Sequence, residues 1–375
     1  ANSQAGSGAY EYGAVLMLVG SDHVIVVGGG VVGMSAALAF AERGVDVTLV
    51  APRQHTLGSV RRMYSVHLGS ERFLRDLGVW SQRISERSAS YQSIMVWSDV
   101  PGQLVFDAQA QGLSHLGHMV DEADLLAAFG VSITQHQCIQ TMDDTVVALD
   151  IESGRLQLSS GGWLQGDLVI GADGARSQMR SLGGYDFDEQ PYGQTAIVAT
   201  VGHEQSHQQQ LIQRFLPGGP VALLALKDAH KSSLVWTLPE KEAKEWLVCE
   251  DRLFNEALTE AAQGLLGHCQ LLGKRHGFPL VGRHISQYDN HQCVLLGDAA
   301  HTVHPLAGQG ANMGWMDVRS LVDRVILSRQ KGWGLADSGT LKQWGRDRHA
   351  ENAKMLTVFG GLNRLFGNHS KKVDG

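Results

Sequence analysis

The 375-residue sequence lacks several features that define specialised classes of protein. No uninterrupted apolar stretch approaches the roughly 20 residues that a membrane-spanning helix needs, and Val15 to Val19 is far too short. The four cysteines form no CxxC pair, which argues against a zinc site or a disulfide framework and fits a reducing compartment. No run of lysine or arginine exceeds two residues and the formal charge is −7, so nucleic-acid binding is not expected.

The composition that is present is typical of a globular chain with a sizeable core. Hydrophobic residues make up 43% and charged residues 18%, and the length favours two domains or one large elaborated one. Glycine is abundant, with 45 residues, which predicts many tight turns or close approaches of the backbone to a ligand.

A glycine motif lies between a predicted strand and a predicted helix near the start of the chain. The strand Val24 to Val27 leads into Gly28-x-Gly30-x-x-Gly33, which is followed by helical apolar spacing and by a second strand from Val45 to Val50. In such a unit the first glycine permits the turn, the second lets a pyrophosphate approach, and the third lets the helix pack closely. The unit predicts dinucleotide binding, although Ala51 stands where an acid would hold the ribose.

The rest of the chain predicts a strand-rich middle and a helical end. A hairpin is predicted around Pro101-Gly102, and a short helix after Asp121 is expected to lead to a strand at Val131 to Thr134. Further strands are predicted at 146–150, 155–159, 168–170, 195–202, 213–216, 221–226, 233–238 and 293–296, and helices at 240–248, 253–263 and 310–330. From 331 to about 366 the chain is expected to be mainly helical.

Two later motifs add chemistry to the glycine turn. In Gly171-Ala172-Asp173-Gly174-Ala175-Arg176-Ser177-x-x-Arg180, the aspartate can form an Asx turn or face a cofactor, and the last arginine can bind a phosphate or position the loop. In Gly297-Asp298-Ala299-Ala300-His301, the aspartate follows a strand and can hold a ribityl chain. The glycine-rich run from His304 to Gly314 then opens a helix whose N–H groups favour negative charge on a reduced flavin.

Together these segments resemble the FAD-dependent aromatic hydroxylases of the para-hydroxybenzoate hydroxylase fold. The likeness is strongest to the ubiquinone-biosynthesis hydroxylases, whose signature His-Pro-hydrophobic-Ala-Gly-Gln-Gly-x-Asn-x-Gly-x-x-Asp is met from His304 through Asp317. The resemblance extends to Arg62-x-x-Ser65 and to His115-Leu116-Gly117-His118, and covers 23 to about 366.

The resemblance implies a set of site residues. Those assigned to FAD are Gly28, Gly30, Gly33, Arg62, Asp173, Asp298, Gly308, Gln309, Gly310, Ala311 and Asn312. His304 and Pro305 are the candidates for catalysis, while His301 and His304 can equally support the loop. No metal site is predicted, and the histidine- and glutamine-rich run 203–210 is interpreted as solvated surface.

The fold that the resemblance implies is α/β: a discontinuous Rossmann-type FAD-binding domain with an inserted antiparallel-sheet substrate domain and a helical C-terminal region. The FAD-binding domain is assigned 21–90, 113–184 and 286–366, and the substrate domain 91–112 and 185–285. Residues 1–20 are interpreted as a linker or tag-like segment and 367–375 as a tail.

The activity that the resemblance implies is hydroxylation of an aromatic ring, with a prenylated phenol or quinol of ubiquinone biosynthesis as the expected substrate. Such enzymes use FAD, O2 and NAD(P)H as a transient reductant, and react through a C4a-hydroperoxyflavin. A biosynthetic complex is a further expected partner. The expected location is cytoplasmic, with peripheral association with the inner membrane.

Three alternative functions remain open from the sequence alone. One is a scaffold member of the same family that binds FAD weakly or not at all, which Ala51 and several short segments motivate. Another is a flavin enzyme of different chemistry, such as a halogenase or prenyl reductase. The last is a simple NAD-dependent dehydrogenase, which leaves Asp173 and Asp298 without a role.

Overall fold

A computed structural model describes residues 22–52, 62–99, 101–302 and 310–367. Its first layer is a six-stranded sheet that is parallel except at one edge, where a two-residue strand pairs antiparallel. Its order is β19 (Asp289–Asn290), β20 (Cys293–Leu295), β12 (Leu168–Gly171), β1 (His23–Val27), β2 (Asp46–Val50) and β8 (Ile139–Met142). Because these strands are parallel, the loops that follow β1, β2, β8, β12 and β20 meet at one edge.

Helices cover this sheet. The first helix, α1 (Val31–Ala41), is buried at nine of its eleven residues because it packs between the sheet and α4 (Glu122–Gln135) and α8 (Gly310–Gln330). The remaining helices are α2 (Leu68–Asp76), α3 (Gln82–Arg87), α5 (Gln178–Leu182), α6 (Glu240–Val248), α7 (Asp251–Ala261) and α9 (Ser338–Gly367).

A nine-stranded, mainly antiparallel sheet forms the second layer. Its path is β21 (His301–Thr302), β18 (His276–Ile285), β13 (Phe187–His203), β16 (Lys231–Pro239), β15 (Gly219–Ala225), β14 (Gln210–Leu216), β5 (Ser93–Ser98) and β6 (Gln103–Asp107), with β17 (Cys269–Leu271) paired to β13. Among the described strands of this nine-stranded sheet, only β5 and β14 pair in parallel. One face of this sheet packs on α6 and α7, with Trp236 and Phe254 in that core.

Two small sheets complete the described strands. One, β3 (Met63–His67), β7 (Gly117–Asp121) and β4 (Ala89–Tyr91), lies beside the nine-stranded sheet and shares an apolar core with it. The other is β11 (Trp163–Gln165), β10 (Arg155–Leu158) and β9 (Val146–Asp150). The α/β fold with a second sheet and a helical end is therefore confirmed.

The strand predicted at Val131 to Thr134 is wrong, because those residues continue α4. The buried side chains Leu125, Phe129 and Ile133 recur every four residues, which is the spacing of one helical face. At the start of the helix, the Asp121 carboxylate accepts a hydrogen bond from the Ala123 N–H at 3.0 Å. A short β-branched segment at the end of a helix was thus mistaken for a separate strand.

The interpretation of 203–210 as solvated surface is also wrong for two of its histidines. His203 and His207 are each 7% exposed. The His203 Nε2 atom lies 3.0 Å from Ser232 Oγ, and His207 Nε2 donates to the Leu226 carbonyl at 2.9 Å. The polar composition is explained because the two rings supply hydrogen bonds where β13 turns into β14.

Candidate cofactor-binding site

The glycine turn after β1 is built by contacts that permit no side chain at two of its positions. Gly28 has φ +130°, and a β-carbon there would lie 2.2 Å from the Ala172 carbonyl oxygen. A β-carbon on Gly33 would lie 2.0 Å from the Gly28 oxygen, so the helix packs directly on the turn. By contrast, a β-carbon on Gly30 would meet no atom within 4 Å. The backbone at Gly30 therefore borders open space, as an approaching diphosphate requires.

The start of α1 is free to bind an anion. Gly30 is its N-cap and makes no side-chain capping bond, and no acidic residue lies in the first turn. The first N–H groups of a helix have no partner within the helix, and the helix dipole favours negative charge at that end. These features suit a bound phosphate group better than a side chain of the protein itself.

A cavity of about 930 Å³ opens at this turn and brings the three sequence motifs together. The predicted residues that line it are Gly28, Gly30, Arg62, Asp173, Asp298, Gly310 and Ala311. Gly33 and Asn312 lie behind the lining. His304, Pro305, Gly308 and Gln309 fall outside the described residues, so their roles remain predictions from the sequence.

Asp298 lies opposite the glycine turn, beside the start of α8. Its Oδ1 atom is 3.9 Å from where a β-carbon on Gly310 would stand. Burial within the cleft raises the pKa of the Asp298 carboxyl, while nearby His301 and Arg62 act in the opposite direction. A carboxylate here can accept hydrogen bonds from the hydroxyls of a ribityl chain.

Asp173 and Arg180 stabilise the loop at the cavity wall. The Asp173 carboxylate accepts hydrogen bonds from Ser177 Oγ at 2.5 Å and from the N–H groups of residues 178 and 179, at 2.7 and 3.0 Å. Arg180 is 6% exposed and donates to the carbonyls of Ala299 and Ala175, each at 3.0 Å. Of the two sequence interpretations of Arg180, the structure favours loop positioning over phosphate binding.

Asn312 joins α8 to β3. Its Nδ2 donates to the Ser65 carbonyl at 2.7 Å, and its Oδ1 accepts from the His67 N–H at 3.3 Å. The side chain is 1% exposed, so both ends of its amide are occupied by protein. Through these two hydrogen bonds, Asn312 sets the position of the start of α8 relative to β3.

Sequence reasoning missed a polar pair at the side of the cavity. Tyr64 Oη donates to Glu122 Oε1 at 2.6 Å, and Arg62 Nη1 lies 3.4 Å from the same oxygen. Burial and the negative charge of Glu122 raise the pKa of Tyr64. The partners are 58 residues apart in sequence, so no local pattern could have revealed them.

A carboxylate also stands near the position where the usual acid is missing. Ala51 N–H donates to the Met142 carbonyl at 3.0 Å, because β2 and β8 are adjacent and parallel. The residue that follows, Asp143, is exposed and lines the cavity with Ala51. The next carboxylate, Asp144, accepts from Ser159 Oγ at 2.5 Å, which lowers its pKa to about 2.

A buried hydrogen-bond network connects the loop that contains Asp298 to the C-terminal helices α8 and α9. Asp317 is fully buried and accepts from His301 Nε2 at 2.6 Å, from the Gly297 N–H at 3.1 Å and from Arg348 Nε at 2.8 Å. These bonds lower the pKa of Asp317 against the effect of its burial. His301 is 1% exposed, and its side chain supports the loop through this carboxylate.

On the other side of β3, an apolar wall separates the small sheet from the nine-stranded sheet. It contains Tyr91, Met119, Leu211, Ala222 and Leu224. Along β5 and β15 the side chains alternate, so that Trp97, Val221 and Leu223 face the opposite core. Alternate residues of β5 and β15 therefore face this wall.

Comparisons with known proteins agree with this geometry. The model of the family described as FAD binding domain matches residues 22–358. The chain is 32% identical over 352 residues to the ubiquinone hydroxylase UbiL of Rhodospirillum rubrum, covering 92% of this chain and 82% of that protein. It is 32% identical over 339 residues to the 3-demethoxyubiquinol 3-hydroxylase of Escherichia coli, covering 88% and 86%.

The chain belongs to the family of FAD-dependent ubiquinone-biosynthesis hydroxylases. Its fold is similar to that of PqsL from Pseudomonas aeruginosa, with a TM-score of 0.77 and 19% identity over 93% of this chain and 97% of that one. The chain is an FAD-dependent aromatic hydroxylase, as the sequence motifs predicted. Membership of this family removes the simple dehydrogenase alternative.

Proposed function

We propose that this hydroxylase acts on a polyprenylated phenol or quinol intermediate of ubiquinone biosynthesis, with O2 as oxidant and NAD(P)H as transient reductant. The main support for this proposal is that the Gly28 turn, Asp173 and Asp298 all line one cavity. The names of the two relatives at 32% identity support the substrate class. When bound, FAD supplies the transfer of electrons from the nicotinamide and the activation of O2.

The residues of this chain fit the parts of FAD in order. Gly30 and the free N–H groups at the start of α1 would bind the diphosphate, and Asp298 would hold the ribityl hydroxyls. The N–H groups of Gly310 and Ala311 would face the pyrimidine edge of the flavin, where α8 places its positive dipole end. Asn312 would act by fixing the position of that helix start.

Asp143 is the group that we propose for the adenosine ribose. It follows β8 at the same sheet edge as Ala51, which occupies the position of the acid expected after β2. Replacing Asp143 by alanine should weaken FAD binding about tenfold or more, because a hydrogen bond to a charged group contributes roughly 1.5–3 kcal/mol. Glu152→Ala, an exposed change in the turn 151–154, is the matched control in a flavin titration. Equal affinities for the two variants would contradict the assignment.

The apolar wall is the proposed surface for the substrate ring. Its buried side chains exclude water, and one polar pair lies among them, with Tyr91 Oη 3.0 Å from Ser65 Oγ. Burial raises the pKa of Tyr91, so its hydroxyl stays neutral near pH 7 and is not a base. His304 and Pro305 remain the candidates for direct catalysis from the sequence.

Two measurements test the proposal. The purified protein should show the two visible and near-ultraviolet bands of oxidised flavin, and with NAD(P)H, O2 and a short-chain prenylated quinol it should form a hydroxylated product. Oxygen from labelled O2 should appear in that product, which separates hydroxylation from reduction. A protein that holds no flavin after reconstitution would support the scaffold alternative and contradict the proposal.

We also propose that the protein associates peripherally with the inner membrane from the cytoplasm, where a prenylated substrate resides, and with other proteins of the pathway. Among the described helices, none is both long and apolar enough to cross a bilayer. Supporting a surface contact, β6 exposes three consecutive apolar side chains, Leu104, Val105 and Phe106, each about half exposed. Co-sedimentation with lipid vesicles measures this association.

A further inference from the structure

Outside the cofactor cavity, one carboxylate and two histidines meet between α2 and the start of β7. Glu71 lies in the first turn of α2, while His115 and His118 come from the His-Leu-Gly-His segment that leads into β7. None of the three lines the cavity. The sequence predicted no metal site because His115 and His118 by themselves supply only two ligands, and Glu71 is 44 residues away from His115 in the chain.

The three side chains converge on one point. Glu71 Oε2 lies 2.8 Å from His115 Nε2 and 3.2 Å from His118 Nδ1, and the three atoms all lie within 4.8 Å of one another. The side chains are only 7%, 19% and 12% exposed, respectively. Two imidazole nitrogens and one carboxylate oxygen form a donor set that divalent zinc, cobalt and nickel accept, with a further position for water.

The second heteroatom of two of these groups is already held. His115 Nδ1 lies 2.8 Å from Ser114 Oγ, which can accept a hydrogen bond from a protonated Nδ1, and in that tautomer Nε2 is able to bind a metal. Glu71 Oε1 accepts from Arg75 Nε at 3.0 Å and from Arg75 Nη2 at 2.7 Å. Such outer hydrogen bonds orient metal ligands and fix the histidine tautomer. They aim His115 Nε2 and Glu71 Oε2 at the shared point.

The hydrogen bonds of the protein leave one atom of the cluster unexplained. A hydrogen bond between His115 Nε2 and Glu71 Oε2 accounts for the 2.8 Å contact but not for the surroundings of His118. His118 Nδ1 is buried and, among the residues that the structure describes, makes no hydrogen bond of acceptable geometry, although Glu71 Oε2 lies 3.2 Å away. A buried nitrogen without a partner is costly, and a bound cation would satisfy it.

We propose that Glu71, His115 and His118 bind one divalent transition-metal ion of the zinc class. The ion would join α2 to β7, two elements that are separate in sequence. Because α2 begins after His67, whose N–H binds Asn312, the ion would stabilise the element that anchors the start of α8. The role that we propose for the ion is structural. The proposal rests on the geometry of the three side chains and does not depend on the proposed substrate.

The test uses the intact flavoprotein after treatment with a chelator, titrated with ZnCl2 and with CoCl2. Zinc should bind with one equivalent and raise the melting temperature, and cobalt should give the visible bands of a four-coordinate ion. His115→Gln and His118→Gln should each weaken zinc binding about tenfold or more, since losing even an outer hydrogen-bond partner costs 10–100-fold. His268→Gln, an exposed histidine elsewhere, is the matched control and should bind zinc as the parent does.

Two results would overturn the proposal. One is a parent protein that binds no equivalent of zinc at this site, and the other is zinc binding that survives both histidine substitutions. Flavin absorbance is recorded for every variant, because a folded protein with normal flavin content separates failure of the metal site from failure of the cofactor site. Magnesium, which prefers oxygen ligands, should leave the melting temperature unchanged.

Discussion

Gly30 and Gly33 differ in what a single added methyl group would meet. Gly30 has an extended backbone with φ −83°, and its β-carbon would stand in open space at the cavity. Gly30→Ala should therefore change the free energy of unfolding of the flavin-free protein by less than about 0.5 kcal/mol. It should nevertheless weaken FAD binding by about tenfold or more, because the methyl group occupies the approach of the diphosphate.

Gly33→Ala is the contrasting change. Its β-carbon would lie 2.0 Å from a backbone oxygen that cannot move without disturbing the turn, so we expect a loss of about 3 kcal/mol of stability. Urea unfolding and flavin titration of both variants measure the two effects. If Gly30→Ala bound FAD like the parent, the diphosphate would not lie against this turn.

Asp298 provides a second prediction for the cofactor site. Asp298→Ala should reduce the flavin content of the purified protein while leaving the fold intact, because the Asp298 carboxylate faces the cavity whereas the loop itself is held by Asp317 through the Gly297 N–H. Asp323→Ala, an exposed aspartate of α8 at 54% side-chain exposure, is the control. Flavin-to-protein absorbance ratios and circular dichroism report the two quantities. Unchanged flavin content in Asp298→Ala would argue against its assigned role.

At the scale of elements, α9 supports the cofactor loop through one buried charge. Arg348 is 3% exposed and donates to Asp317, which in turn accepts from the Gly297 N–H. Arg348→Met should destabilise the protein by about 3–5 kcal/mol, because it leaves a buried carboxylate without its cationic partner. It should also reduce flavin retention, since the Asp298 turn depends on the same carboxylate.

Exposed Arg346→Met on the same helix is the control for this prediction. Adding Asp317→Asn to Arg348→Met should recover part of the lost stability, because the uncompensated charge is then removed. Chemical unfolding curves for the parent, the Arg346→Met control, the two single variants Arg348→Met and Asp317→Asn, and the double variant supply the comparison. Additive losses in the double variant would show that the two side chains are not coupled.

The predicted elements show where local pattern is a sufficient guide. The helices predicted at 240–248 and 310–330 have those bounds in the structure, because their apolar spacing and end residues belong to the helix itself. Val131 to Thr134 was assigned wrongly because four β-branched or small residues cannot show whether their neighbours pack at a spacing of two or four. Only the packing of Phe129 and Ile133 on one side of α4 decides between them.

At the scale of the whole molecule, stability should depend on pH through a histidine cluster between the second sheet and the C-terminal helices. Burial and the neighbouring His349 and His301 lower the pKa of His284 to about 4, below its ordinary value near 6.5. The unfolded chain therefore binds more protons than the folded protein between these values. Above pH 6.5 the His284 ring is neutral in both states, so the free energy of unfolding is not reduced. As the pH falls from 6.5 towards 4, the unfolded chain gains a proton that the folded protein does not, and the free energy of unfolding decreases.

Because His284 is only partly buried, solvent screening reduces this effect to about 1 kcal/mol between pH 7 and pH 5. His284→Gln should show a correspondingly shallower loss of stability over this range than the parent protein. His268→Gln, whose ring is exposed, should follow the parent. If the free energy of unfolding changed equally with pH in all three proteins, groups other than His284 would cause the pH dependence.

The sequence by itself determined the features that depend on neighbouring residues: the glycine turn, most strands and helices, and the signature segments that identify the family. Tertiary structure alone decided which distant groups meet. It placed Asp143 beside Ala51, joined Asp317 to Arg348 and brought Glu71 to His118. The physical reason is that hydrogen bonds and charge pairs act over a few ångströms in space, whereas a sequence pattern records only separation along the chain.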